Sequence, residues 1–462
     1  IQAIRIDPSS SSIGSFSFIN NDVFNAINRF IGLYLYQTPI FANNTFHDFN
    51  RNNSYFMDVI FRSPLNSFLF ENITYRNIVG GSDYNGGIAT WVQSSSRTNP
   101  ITIEFIHCTF INVTNIYQGH NRLPLEYKCQ GGVFQHGHAE SISNSNLVFN
   151  SCIFNYNGIN GCGGALAFEI LGDLAIINCS FISNKAKLNS QVVGCLSNGG
   201  AIFLAHPYMN SQSPRSVTIQ NCNFIGNEAT EGSVFYYYPD SIEVDVEVIF
   251  ESCTFQNNGR IGQSQIVCYS PSFTFFNNTV QYTSDSEIGS SNEYCIILPS
   301  AKMIDISHCY FFNQNELNAT GGGFLQVSQQ SNSMVYDNCF NLHDLVFNSS
   351  KHYSSIQLFL PQLYSFSSNN VTICNYEYNT PFCTIQVSNE TNVGGSIINL
   401  NNWSFYKCTT SNNTGVSLYT SQCITFTSCS WYNNSVSNRH EGAFHIYNLD
   451  ASFINCDFIE NS

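Results

Sequence analysis

Three strings share one template: NCSFISNKA at 178–186, NCNFIGNEA at 221–229 and NCDFIENS at 455–462. Aligned on cysteine, CxFxxN recurs at Cys108, Cys152, Cys179, Cys222, Cys253, Cys309, Cys429 and Cys456, with Cys339 and Cys408 as degenerate copies. Two residues on stands Phe110, Phe154, Phe181, Phe224, Phe255, Phe311, Trp431 or Phe458. Five residues on stands Asn157, Asn184, Asn227, Asn258, Asn434 or Asn461. A chain that keeps three chemically distinct residues at fixed offsets is a repeat, and repeats are settled before domains are counted.

Upstream of the cysteine, positions −5 and −3 are apolar, as in Val217 and Ile219, Val248 and Phe250, Ile304 and Ile306, and Ile424 and Phe426. Inward positions therefore run −5, −3, 0 and +2. Alternation is a strand signal, but the step from −3 to 0 breaks its parity, and a smooth strand would turn half of these residues into solvent. A corner resolves the conflict. Asn178, Asn221, Ser252 and Asn455 stand just before the cysteine, and such residues stabilise tight bends. Each copy is predicted to be two short strands joined by a bend.

Between the cysteine motifs comes a second signature: GGVF at 131, GGALAF at 163, GGAIFL at 199, GSVFYY at 232, GGFLQV at 322, GGSIINL at 394 and GAFHIY at 442. Glycine pairs permit a sharp bend or close backbone approach, and a new strand follows. Cysteine intervals of 44, 27, 43, 31 and 56, then 21 and 27, match solenoid turns with inserted loops. Turns stacked about 4.8 Å apart pile like residues in columns. A buried aromatic contributes about 2–3 kcal/mol per turn, and stacked Asn side chains satisfy one another's amides. The predicted fold is all-β, a right-handed parallel β-helix with inserted loops. Leucine-rich repeats and propellers lack their signatures here.

Residues 81–462 are read as the β-helix, its C-terminal end incomplete because the chain stops inside a turn. Residues 1–80 are read as an irregular N-terminal cap or degenerate turns. NNTFHDFN at 43–50 and ENITYRNI at 71–78 are faint copies, and Val23, Phe24, Ile27, Phe30 and Ile31 have the spacing of a capping helix.

With 10% charged and 15% aromatic residues, the chain is not of disordered composition. A net charge of −15 with 16 Lys and Arg leaves no basic footprint for nucleic acid. No apolar run approaches a membrane span, and residues 1–30 lack a signal peptide's apolar core. The chain begins at Ile1 without Met and is read as a mature or truncated piece.

Eighteen cysteines suit an oxidising compartment. Those outside the column, Cys129, Cys162, Cys195, Cys268, Cys295, Cys374, Cys383 and Cys423, are the disulfide candidates; Cys129, Cys162 and Cys195 each precede a glycine pair, and Cys374 with Cys383 closes a short loop. Column cysteines are expected as buried thiols. Thirteen NxS/T sequons are candidate glycosylation sites: Asn43, Asn52, Asn72, Asn112, Asn178, Asn277, Asn318, Asn348, Asn370, Asn389, Asn402, Asn412 and Asn433.

GGALAF with CSFISN, GGAIFL with CNFIGN, and GAFHIY with CDFIEN together resemble the polymorphic outer membrane protein repeats of chlamydial autotransporter adhesins and trichomonad surface proteins. The resemblance covers roughly residues 80–462. It implies a pectin-lyase-like parallel β-helix on a secreted or cell-surface protein, often adhesive.

Chemistry is sparse. Carbohydrate-active β-helices cluster carboxylates with Arg or Lys, but no DD pair or NTD signature is present. Neither is a GxSxG elbow or phosphate loop. In QHGHAE at 135–140, His136 and His138 share a strand face with Glu140 following, a possible metal set without a third ligand nearby; a solvated surface is the reading preferred. In DSIEVDVEV at 240–248, Glu243, Asp245 and Glu247 form an outward stripe opposite Val244, Val246 and Val248.

The expectation is a non-enzymatic extracellular or cell-surface glycoprotein acting in adhesion or surface display, without cofactor or metal. Its partners would be host-cell or matrix glycans and proteins, or copies of itself end to end, with no nucleic acid and no membrane span. Recognition is expected in loops at 113–130, 185–198, 205–216 and 260–300. The alternatives are a structural subunit of an extracellular filament or coat, and a polysaccharide lyase or hydrolase on the same fold.

Overall fold

The computed structural model describes residues 4–6, 17–24, 31–35, 40–50, 57–61, 67–80, 88–92, 101–115, 132–136, 145–169, 172–187, 197–206, 215–239, 246–259, 263–282, 294–300, 303–313, 323–328, 339–349, 356–359, 365–374, 377–378, 383–387, 398–410, 416–420, 424–436, 444–447 and 451–461. All regular structure among them is strand. The chain divides into two compact units, Ile1–Val244 and Asp245–Ser462, and each is a stack of parallel β-helical turns.

In the first unit one sheet is built from single strands, one per turn. Leu166–Glu169, for example, pairs in parallel with Phe134–His136 and with Ile202–His206. The other sheet takes each turn as three short pieces, such as Leu174–Ile177, Ser180–Ile182 and Lys185–Ala186. The register is columnar: Leu147, Leu174 and Val217 lie across from one another, as do Phe154, Phe181 and Phe224.

Two backbone bends separate the three pieces. The first falls just before the cysteine, where Asn20, Asn43, Asn72, His107, Ser151, Asn178 and Asn221 all have φ between 53° and 58° apart from Asn72 at 50°. That is the corner the parity break demands. A second bend, four residues after the cysteine, is not foreseen in the sequence: Asp48, Asn77, Asn112, Tyr156, Ser183 and Gly226 have φ between 50° and 62°. The left-handed region favours Gly, Asn and Asp; Asn and Ser supply six of the seven first-bend residues and three of the six at the second.

The interior is columns of like residues. Phe46, Tyr75, Phe110, Phe154, Phe181 and Phe224 form one pile, with centroids 5.1, 5.2, 5.0, 4.6 and 5.1 Å apart and planes within 15°. Each is buried. Offset-stacked pairs add about 0.5–1.5 kcal/mol beyond the area they hide. Beyond the second bend, Asn157, Asn184 and Asn227 form an amide ladder. Asn184 Nδ2 donates to Asn227 Oδ1 at 2.9 Å and to the Phe154 carbonyl at 3.0 Å, and its Oδ1 accepts Asn157 Nδ2 at 2.9 Å.

The glycine pair has two uses. Gly163 adopts φ 71°, and a Cβ on Gly164 would fall on the carbonyl oxygen of Gly200 in the next turn. The pair thus forms its own backbone ladder, with Gly164 N donating to Gly199 O at 3.0 Å.

The first 80 residues already carry paired turns. Ile4–Ile6 pairs in parallel with Ile31–Leu35, and Asp22–Phe24 with Thr45–Asn50. The expected capping helix is therefore replaced by strand at Val23, Phe24 and Ile31, while Ile27 and Phe30 lie outside the described residues. Strand pairing fixes residues that helical spacing alone leaves ambiguous.

In the second unit aromatics pile in the same way, Phe311 on Phe347, 4.8 Å apart, and Phe405, Trp431 and Phe458, 5.4 and 4.5 Å apart. The 56-residue interval before Cys309 hides a turn in which Asn278 takes the cysteine's place, since Thr279 pairs with Thr254 and with Tyr310. Residues 260–300 are accordingly not one loop. They contain the strands Ile266–Cys268, Ser272–Phe276, Thr279–Tyr282 and Ile296–Leu298.

Two degenerate copies are also corrected. Cys408 accompanies the second bend, its backbone N–H donating to Asn434 Oδ1 at 2.8 Å, so it occupies the Asn column. Cys339 pairs with Met303, six residues before Cys309. The cysteine column there is filled by Leu345, Val371 and Trp403.

Column cysteines are thiols, not disulfides, and are mostly fully buried. Each thiol is a peg between turns: Cys179 Sγ donates to the Phe149 carbonyl at 3.5 Å and accepts the Cys152 backbone N–H at 3.3 Å. Asn44 makes the same pair of bonds with its amide, to Phe18 O and from Asn21 N. Cysteine therefore recurs as a small, apolar equivalent of asparagine.

Of the disulfide candidates, Cys162 is disulfide-bonded. Cys268, Cys295, Cys374 and Cys383 are free, which corrects the expectation for these four. Cys295 precedes the strand Ile296–Leu298 while Cys268 ends the strand Ile266–Cys268, so the two stand three register positions apart. Cys374 ends a strand of one sheet at the half-buried outer face, and Cys383 points into the core from the other sheet. Cys129, Cys195 and Cys423 lie outside the described residues.

Candidate functional site

On the outward face of the first unit, the short strands after the first bend set side chains in two columns. Asp22, Thr45 and Thr74 lie across from one another, and beside them run Phe24, His47, Arg76 and Ile111. The inward residue between the columns belongs to the aromatic pile, at Phe46 and Tyr75, so the backbone beneath the site is held by packing. Bend residues Asn20 and Asn43 form one rim. Together Asn20, Asn21, Asp22, Asn43, Thr45, His47, Thr74, Arg76 and Ile111 line a groove of about 540 Å³, within the range of about 300–1,000 Å³ that ligand clefts take.

His47 is the centre of its polar network. Its Nε2 lies 3.0 Å from Asp22 Oδ1, and its Nδ1 lies 2.7 Å from Asp48 Oδ2. Carboxylates only accept, so both contacts are hydrogen bonds when both ring nitrogens carry protons. Hydrogen bonds from His47 and from Asn77, the latter at 2.9 Å, hold the Asp48 carboxyl below its usual value. Phe24, 59% exposed, stacks on the imidazole with centroids 5.6 Å apart. Chemically the groove offers amides, hydroxyls, a carboxylate, a guanidinium and an imidazole held between two carboxylates, with the exposed Phe24 ring stacked on that imidazole beside the lining.

Sequence reasoning missed this set because its members come from three turns, at positions 22, 47 and 76. The faint copies at 43–50 and 71–78 held the signal: superposed, they put His47 and Arg76 in one outward column.

Sites singled out in the sequence fare differently. His136 lies on the strand Phe134–His136, but its side chain, His138 and Glu140 fall outside the described residues. Glu247 is exposed between buried Val246 and Val248, as expected of an outward stripe, while Glu243, Val244 and Asp245 fall outside. In the proposed recognition loops, 116–130, 188–196 and 207–214 fall outside as well.

The sequons fall into a pattern. Asn43, Asn72, Asn178, Asn277, Asn370 and Asn402 occupy the first bend, and Asn112 and Asn433 the second, all with φ between 50° and 54°. Their exposed side chains bond from turn to turn, as from Asn72 Nδ2 to Asn43 Oδ1 at 3.1 Å and from Asn402 Nδ2 to Asn370 Oδ1 at 3.1 Å. Asn348 lies on the strand Cys339–Ser349. Asn52, Asn318, Asn389 and Asn412 lie outside the described residues.

No protein-family model matches the chain, so the resemblance to the polymorphic outer membrane protein repeats stands only on the motifs quoted above. No curated protein matches it. Among solved structures, the chain is similar to the A-module of the mannuronan C-5 epimerase AlgE6 from Azotobacter vinelandii, at 8% identity and a TM-score of 0.27, over 96% of this chain and 91% of that one. That protein is an enzyme; the non-enzymatic assignment made from the sequence is not retained. Among the described residues no helix is long and apolar enough to cross a membrane.

Proposed function

We propose that this chain is an extracellular polysaccharide-binding β-helix whose first unit holds a hydroxyl-rich, uncharged glycan in the groove around His47, where acid–base chemistry on the bound sugar is available. The observation that carries this reading is the lining itself. Planar amide, carboxylate and guanidinium groups present paired donors and acceptors of the kind sugar hydroxyls engage, and the exposed ring of Phe24 provides an apolar platform beside them. A net charge of −15 disfavours a polyanionic ligand. The disulfide at Cys162 supports an oxidising compartment.

The test is a glycan array probed with the whole chain, followed by a search for reducing-end or unsaturated products from every ligand retained. Binding to neutral glycans should fall at least tenfold in Asp22→Asn and Arg76→Ala, and His47→Ala should abolish any turnover. An array silent toward neutral glycans, or binding indifferent to both groove substitutions, would overturn the reading.

A further inference from the structure

In the second unit the first-bend column departs from its usual chemistry. Where neighbouring turns place Asn277, Asn370 and Asn402, two successive turns place His308 and Asp344, both with φ 54°, and His343 precedes Asp344. Register sets His343 across from Ser307 and Leu345 across from Cys309, so His308 and Asp344 stand side by side. Asp344 Oδ2 lies 3.4 Å from His308 Nδ1 and 3.5 Å from His343 Nδ1. One ligand atom from each residue lies within 4.8 Å of the others.

Those distances are long for hydrogen bonds, which cluster near 2.7–3.2 Å. They are close to the edge, about 3.3 Å, of a tetrahedron whose arms are 2.0–2.1 Å, as around Zn²⁺ bound by imidazole and carboxylate. Each ligand is also oriented from behind. Asn370 Nδ2 donates to Asp344 Oδ1 at 2.7 Å, leaving Oδ2 to face the two imidazoles. On the far side of His343, Nε2 faces Asp305 Oδ1 at 3.7 Å. That oxygen is buried and has no hydrogen-bond partner. A carboxylate behind a histidine whose other nitrogen is aimed into a donor cluster is the arrangement that fixes metal-ligating imidazoles. The edge of the His308 ring is set by Phe276, with centroids 5.3 Å apart and planes at 89°.

We infer that His308, His343 and Asp344 form a binding site for one divalent transition-metal ion of the Zn²⁺ type, with Asp305 and Asn370 as supporting residues and water completing the coordination. The site is half exposed, with side-chain exposures of 49%, 38% and 35% for His308, His343 and Asp344, so an ion enters from solvent without opening the fold. Two histidines and one carboxylate favour such an ion over Ca²⁺ or Mg²⁺, which take oxygen ligands. Because the ligands come from two turns, the ion would also clamp one turn to the next.

The test is titration of the metal-free full chain with Co²⁺, followed by displacement with Zn²⁺. The expected result is one equivalent bound at micromolar Kd or tighter, with visible ligand-field absorption and no thiolate charge-transfer band in the near ultraviolet. His343→Ala and Asp344→Asn should weaken binding at least 100-fold, and Asp305→Asn about 10- to 100-fold, the usual effect of losing a supporting partner. Far-ultraviolet circular dichroism of these variants at half-buried positions should match the parent. Thiolate charge transfer would place the metal on cysteine, loss of the signal in His47→Ala would place it at the other cluster, and millimolar binding alone would mean adventitious contact. Each of these overturns the inference.

Discussion

The Cys309 thiol accepts the backbone N–H of Asn278 at 3.4 Å and donates to the Phe275 carbonyl at 3.2 Å, while the Asn278 amide accepts the Cys253 N–H at 2.7 Å and donates to the Phe250 carbonyl at 2.9 Å. Thiol and amide thus perform one task in successive turns. Replacing Cys179 by Asn should change stability by less than about 1 kcal/mol, whereas Cys179→Ala strands the Cys152 amide and should cost about 1–3 kcal/mol. Urea midpoints of the two variants decide this, and equal losses would refute the equivalence.

The buried ladder concentrates more energy per residue. Asn184 makes bonds to Asn227 Oδ1 and Phe154 O and receives two from Asn157. Asn184→Leu removes all of them and leaves the neighbouring amides unsatisfied, so a loss of about 3–5 kcal/mol is expected from denaturant unfolding. A substitution at the adjacent half-buried bend, Ser183→Asn, keeps the left-handed preference and should be within about 0.5 kcal/mol of the parent.

The buried thiols set a limit at alkaline pH. Burial pushes Cys268, Cys295, Cys309 and Cys383 up to about 12 from an ordinary 9.0. The folded chain therefore keeps protons that the unfolded chain releases. Their contribution is full below about pH 9 and is lost as pH rises from there toward 12, by at most about 1.4 kcal/mol per pH unit for each thiol. Urea midpoints should be flat in this respect up to about pH 8.5 and fall steadily above it. The same thiols should resist a maleimide probe at about pH 7.5 until denaturant is added.

Sugar occupancy is constrained by spacing. Asn43 and Asn72 occupy adjacent turns, as do Asn370 and Asn402, about 4.8 Å apart along the stack. A glycan on one member of each pair crowds the other and breaks the side-chain hydrogen bond between them. Glycopeptide mapping of protein from a secreting eukaryotic host should find no molecule with both members of a pair occupied; doubly occupied peptides from Asn370 and Asn402 would refute this.

Inward columns were legible in the sequence because their residue types are restricted: an aromatic pile tolerates Phe, Tyr or Trp, and the first bend announces itself by a parity break. The second bend was not, since its residue faces solvent and only its backbone is constrained. Tyr156, Lys407 and Glu460 serve there as well as Asn112 does. Counting cysteines misplaced Cys408 by five residues, because Trp403 occupies the column and a thiol replaces Asn in the ladder. The His47 groove and the His308 cluster were hidden for another reason: each assembles outward residues from different turns, which only register brings together.

The left-handed corners have an evolutionary consequence. A chain that turns on asparagine, buries the next side chain and resumes a strand with Ser or Thr spells the N-glycosylation acceptor each time it does so, as Asn72 to Thr74 and Asn402 to Ser404 do. Eight of the thirteen acceptor tripeptides sit on such corners, and the backbone's need to turn accounts for those eight without any oligosaccharyltransferase.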